Sequence, residues 1–99
     1  MPRVLRTPAA EADLTDIAYY IAIEAGRPLS ADANIDELLA KCAVYAREPL
    51  LGSAAPELGT EYRIFGFKRW IVIYRPIDDG IEVMRIVDGS RDYPTLLQN

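Results

Sequence analysis

The chain has no histidine, and its single cysteine is Cys42. A lone thiol permits neither an internal disulfide nor a cysteine-based zinc site, and without histidine the usual zinc ligand and the usual neutral-pH general base are both missing. Any chemistry must draw on carboxylates, Lys, Arg, Tyr or that one thiol, so no metal and no cofactor is expected. Long apolar runs are lacking too. The longest covers the seven residues from Ile17 to Ile23, whereas a membrane span needs about 18. Nothing in the opening Met-Pro-Arg-Val-Leu-Arg resembles the apolar region of a signal peptide. A cytoplasmic protein without membrane contact is the expectation. Positive charge is also short, with 11 basic residues against 15 acidic ones and a net charge of −4. Both portions are acidic: residues 1–56 carry five basic and eight acidic groups, residues 57–99 six and seven. Such a surface repels a polyanion, so direct binding to nucleic acid is not expected.

What is present is an ordinary soluble composition, 51% apolar and 26% charged over 99 residues, which argues for a single folded domain spanning the chain. Arg3 to Arg6 is short enough for a strand. Thr7-Pro8 then signals a helix start, with Thr as N-cap and Pro in the first turn. Glu11 and Asp13 suit the positive end of the helix dipole. Leu14, Ile17, Ala18, Ile21 and Ala22 recur at helical spacing, and Ala25-Gly26 supplies a stop. A second helix begins around Pro28 to Ser30 and buries Ile35, Leu38, Leu39, Cys42, Tyr45 and Ala46, ending before Pro49. Cys42 falls on that stripe and is assigned to the core. Residues 50–60 form a loop by composition. The period then changes to that of strands: Tyr62 to Phe65, a turn at Gly66-Phe67, Lys68 to Arg75, a hairpin at Asp79-Gly80, and Ile81 to Val87 as an interior strand. Tyr93 to Gln98 is a candidate terminal helix. The order predicts an α+β fold, with an N-terminal strand, an antiparallel helix hairpin packed on one face of the sheet, and a three-stranded antiparallel meander.

Several strings carry a family resemblance: VLRTPAAEADLTDIAYYIA at residues 4–22, the Pro-x-x-Gly within REPLLG at 47–52, YRIF at 62–65, and RWIVIYRPIDDGIEVMRIVDGSRDYP at 69–94. Together, in this order, they resemble the ParE/RelE superfamily of bacterial type II toxin–antitoxin systems, in its ParE-like branch. The resemblance covers nearly the whole chain. It implies a toxin neutralised by a ParD-like antitoxin in a hetero-oligomer, with DNA gyrase as the target inhibited by binding. The alternatives it leaves are a ribosome-dependent messenger RNA endoribonuclease of the RelE kind, metal-independent, and a binding module that has lost toxicity.

The resemblance also supplies candidate residues. Arg91 stands at the Gly-x-Arg position, where RelE-like nucleases place a phosphate-binding arginine, a role its planar fork suits. Arg63, Lys68 and Arg69 occupy strand positions that carry basic residues in the nucleases. With Asp92 and Tyr93 they make up the expected target-contact set; the bland reading is a solvated sheet edge that discourages strand pairing. Many family members carry histidine shortly before the Gly-x-Arg, and here that place is Asp88. The tyrosine expected a helical turn or more beyond the arginine is missing, since Leu97 stands six residues on. The nuclease set is therefore incomplete, and no catalytic residue is assigned. Tyr19, Tyr20, Trp70 and Tyr74 are core residues by default and antitoxin anchors in the alternative. An antitoxin tail that folds on binding would lie along the helix hairpin and the adjoining sheet. Arg91→Ala is expected to reduce growth arrest on expression while circular dichroism shows an intact fold; an unfolded variant would make Arg91 a structural residue instead.

Overall fold

The computed structural model describes residues 2–90. Thr7 begins the first helix as its spacing predicts: its hydroxyl accepts a hydrogen bond from Ala10 N at 3.0 Å and donates one to Met84 O at 2.8 Å. Strand β1 (Arg3–Arg6) precedes it, and helix α1 runs from Pro8 to Tyr19. The helix does not continue unchanged to Gly26. Over Tyr20–Glu24 it widens into a π turn, closed by Ala25 N donating to Tyr20 O at 2.9 Å. Gly26 then takes the left-handed stop, with φ 67°. Helix α2 (Pro28–Arg47) is followed by a short 3-10 turn (Pro49–Leu51).

Strands β2 (Ser53–Ala54), β3 (Arg63–Phe67), β4 (Trp70–Ile77) and β5 (Gly80–Asp88) complete a five-stranded sheet in the order β1-β5-β4-β3-β2. The sheet is mixed. β1 lies parallel to β5, with Val4 opposite Ile81 and Arg6 opposite Val83, while every other pairing is antiparallel. The meander of three strands holds as expected. Parallel pairing needs a long crossover, and the helix hairpin and the meander together supply it.

Three local expectations are corrected. The β3–β4 turn falls at Lys68-Arg69 rather than Gly66-Phe67, because Phe65 and Phe67 both point into the core and carry the strand through Gly66. The β4–β5 turn is Asp78-Asp79, and Gly80 is already paired with Ile77. A Cβ on Gly80 would lie 1.9 Å from Arg3 O, so glycine is what lets β1 approach. Finally, the expected loop at 50–60 contains β2.

The core lies between the helix pair and one sheet face, as the apolar stripes predict. Leu14, Ile17 and Ile21 meet Leu38, Cys42 and Ala46 over Phe65, Val72, Tyr74, Ile81 and Val83. Tyr45 stacks on Phe65 with ring centroids 4.0 Å apart. Burial raises the Cys42 thiol to about 11, so it remains protonated and unreactive in the fold.

Tyr74 is fully buried, and the antitoxin-anchor alternative fails for it. Its hydroxyl donates to Pro49 O at 2.7 Å and accepts from Gly52 N at 3.0 Å, tying the chain after α2 to the sheet. Arg63 ties the same segment down, its Nη1 donating to Leu50 O at 3.2 Å and Gly52 O at 2.6 Å. Tyr74→Phe is expected to cost about 1–3 kcal/mol, since it leaves the buried Gly52 N–H and the half-buried Pro49 carbonyl without this partner. Urea denaturation at unchanged m-value would measure it; a negligible loss would mean that Arg63 and the pairing of β2 with β3 hold the segment without the Tyr74 hydroxyl.

Candidate functional site

The β3–β4 turn and the end of β5 meet, because Trp70 pairs with Asp88 and Gly89 N donates to Arg69 O at 2.8 Å. That pairing puts Arg69 beside Asp88. The Arg69 Nε and Nη2 donate to Asp88 Oδ2 at 3.0 and 2.5 Å. The other carboxylate oxygen accepts from Ser90 N at 2.9 Å and from the Ser90 hydroxyl at 2.7 Å. Four hydrogen bonds thus converge on one carboxylate, and each favours its charged form. The Ser90 contacts, then the Arg69 fork, hold Asp88 down to about 2.

Arg69 is bound on its other side as well. Its Nη1 donates to the Tyr20 hydroxyl at 2.8 Å, and its guanidinium lies 5.0 Å from the Tyr20 ring centre and 5.9 Å from that of Trp70. Tyr20 meets Trp70 edge-on, with centroids 6.2 Å apart. Tyr20 opens the π turn, which keeps Ile21 in the core while Tyr20 stands half-buried over the sheet. Between α1 and β5 this arrangement borders a cleft of about 220 Å³. Its far wall is Asp13, which accepts from Arg85 Nε at 2.8 Å, Arg85 Nη2 at 3.1 Å and Ile86 N at 2.8 Å. The bond to Asp13 raises the Arg85 guanidinium further above its ordinary value, so both arginines are permanent cations.

The structure therefore brings together Lys68, Arg69, Tyr20 and Trp70 from the expected sets, and separates Arg63. Arg63 sits at the other end of β3, about 13 Å along the strand from Phe67, and its guanidinium is occupied by the backbone after α2. Trp70 is only 9% exposed, which leaves it little surface for an anchor, whereas Tyr19 is 59% exposed on α1. Arg91, Asp92 and Tyr93 lie outside the described residues, as does the candidate helix at Tyr93 to Gln98. Sequence reasoning missed Asp13 as a partner of Arg85 and Ser90 as a partner of Asp88. The second pair had a signal, since Asp-x-Ser is a common turn in which the carboxylate accepts from the backbone two residues on.

Residues 4–93 match the family model of the ParE toxin of the type II toxin–antitoxin system parDE. The chain belongs to the ParE toxin family. A solved structure of the chromosomal ParDE TA system from P. aeruginosa matches with a TM-score of 0.68 and 20% identity, covering 89% of this chain and 96% of that chain. It supports the α+β fold. No curated protein sequence gives a significant match. Among the described residues of this ParE-family chain, no helix is long and apolar enough to cross a membrane.

Asp88 of this ParE-family toxin occupies the place where the resemblance leads one to expect histidine, and it is a fixed anion. Its depressed value means that its stabilising contribution is complete above the ordinary carboxylate value of 3.8 and is lost as pH falls through about 2. A carboxyl-carbon NMR titration is expected to place the Asp88 midpoint near 2, and Arg69→Ala should move it upward but only part of the way, because the Ser90 bonds persist. A midpoint at the ordinary value in the unmodified chain would contradict this geometry.

Proposed function

We propose that this ParE-family toxin acts by binding its target, DNA gyrase, and not by catalysis. The observation that carries the proposal is the state of Asp88. Proton transfer near neutrality needs a group that both holds and releases a proton there. The chain has no histidine, and the carboxylate in the relevant place is held charged by four hydrogen bonds. Arg69 is likewise saturated by Asp88 and Tyr20, which suits a rigid contact surface better than a group that must follow a reacting phosphate. The acidic net charge supports a protein target over a nucleic-acid one.

In this reading the toxin is neutralised in the cytoplasm by a ParD-like antitoxin that joins it in a hetero-oligomer. A groove of about 570 Å³ between the helices offers a seat, floored by Leu14, Ala18, Ile35 and Leu39 and rimmed by Glu11 and Asp36. Tyr19, exposed on α1, extends the same helix's contact surface. An amphipathic helix laid in this groove would cover the apolar floor.

A supercoiling assay with purified gyrase tests the proposal. The toxin alone is expected to block supercoiling or to trap cleaved DNA, and the antitoxin to relieve the effect. Unimpeded gyrase, together with cuts at ribosome-bound codons in primer extension, would replace this reading with a ribonuclease.

A further inference from the structure

A second cleft lies on the other side of the Tyr20–Arg69–Trp70 stack, with a volume of about 420 Å³, within the range of ligand sites. Two turns distant in sequence meet there. The turn between the helices contributes Arg27, and the β3–β4 turn contributes Lys68 and Arg69, with Tyr20, Trp70 and Asn34 completing the walls. Three cations thus line one cleft of a chain whose net charge is −4. Arg27 is exposed and makes no ion pair among the described residues. The Lys68 ammonium lies 3.9 Å from Glu37, at the outer limit of an ion pair, and 5.5 Å from the centre of the Phe67 ring.

Lys68 carries a second, independent sign. Its φ is 53°, and among the described residues it is the one non-glycine position with positive φ. Glycine or asparagine is the preferred occupant of such a turn position, and a long side chain there adds backbone strain. Strain of this kind persists where the side chain has a use. In place of glycine or asparagine, the turn sets a lysine at the cleft's edge.

We propose that this cleft recognises an acidic peptide segment of a protein partner, with Arg27 and Lys68 taking its carboxylates beside the Arg69 guanidinium, which Asp88 and Tyr20 already hold in place. A short acidic segment places its charges only where the cations are. A nucleic-acid backbone carries its charge onward, and here it would meet Glu37 beside Lys68 and, past the Tyr20–Arg69–Trp70 stack, Asp16 and Asp88 of the neighbouring cleft. The inference deepens the binding role proposed above and rests on it for the class of partner. Its test uses no gyrase, so the failure of one can be told from the failure of the other.

Trp70 is the only tryptophan and lines the cleft, so its fluorescence reports occupancy. A blocked oligoglutamate peptide is expected to change that fluorescence saturably, with binding that weakens as salt rises. Lys68→Gly and Arg27→Ala should each weaken binding by roughly two- to fivefold, the range for exposed charge pairs. Lys68→Gly should at the same time raise Tm, because glycine relieves the positive φ. Opposite signs for binding and stability are what a merely structural lysine would not give. No saturable change, equal affinity in the Arg27→Ala/Lys68→Gly double variant, or a lower Tm for Lys68→Gly would each overturn the proposal. So would an oligothymidylate of similar charge binding more tightly than the peptide, which would mark the cleft as a nucleic-acid site.

Discussion

Strand β1 is shorter than the strand it pairs with, and much of the structure follows from how that mismatch is resolved. Its pairing with β5 ends at Arg6 opposite Val83, while β5 continues to Asp88. The backbone groups beyond that point would form an open edge, and buried polar groups without partners are costly. The start of α1 fills the gap. Thr7 N donates to Val83 O, the Thr7 hydroxyl donates to Met84 O, and Asp13 accepts from Ile86 N while also holding Arg85. A helix stands in for the missing strand, and its position along the sheet is thereby fixed.

That placement determines the surface chemistry. With Asp13 locked to β5, the other end of α1 lands on the β3–β4 turn, and the π turn sets Tyr20 against Trp70 and Arg69. Arg69 then has Asp88 on one side and an aromatic face on the other. Two clefts flank this stack. The one toward β5 pairs Asp13 with Arg85 and Asp88 with Arg69, and the one toward the helix turn holds Arg27, without an ion pair among the described residues, and Lys68, 3.9 Å from Glu37. An overall acidic chain thus concentrates cations at one place, a pattern that suits recognition of a short acidic segment. Individual exposed pairs of this kind contribute little to stability, so their value lies in which partner they admit.

Much of the fold was legible locally. Thr7-Pro8 marked the start of α1 and Gly26 the stop, and of the apolar stripes the structure buries Leu14, Ile17, Ile21, Leu38, Cys42 and Ala46 while leaving Ala18, Ala22, Ile35, Leu39 and Tyr45 partly buried. The strand block was recognisable from its β-branched and aromatic residues. The β3–β4 turn was misplaced because Gly66 is a strong turn signal, and the burial of Phe65 and Phe67 overrides it. The site was less legible. Arg63 looked like Lys68 and Arg69 in sequence, yet its guanidinium braces the segment after α2. Tyr74 and Trp70 sat on one strand face, core by default with an antitoxin anchor as the alternative, and the helices packed above that face made it core.

The sequence by itself determined the two helices, the strand meander and the absence of histidine chemistry, because each is written in local spacing or composition, and its strings carried the family resemblance. Tertiary structure decided that β1 runs parallel beside β5, that Asp88 is a locked anion, and that Arg27 shares a cleft with Lys68 and Arg69. These depend on partners far apart along the chain: Asp13 with Arg85, Tyr20 with Arg69, one turn with another. Local pattern carries no record of such meetings, since they arise only once the helices have packed on the sheet.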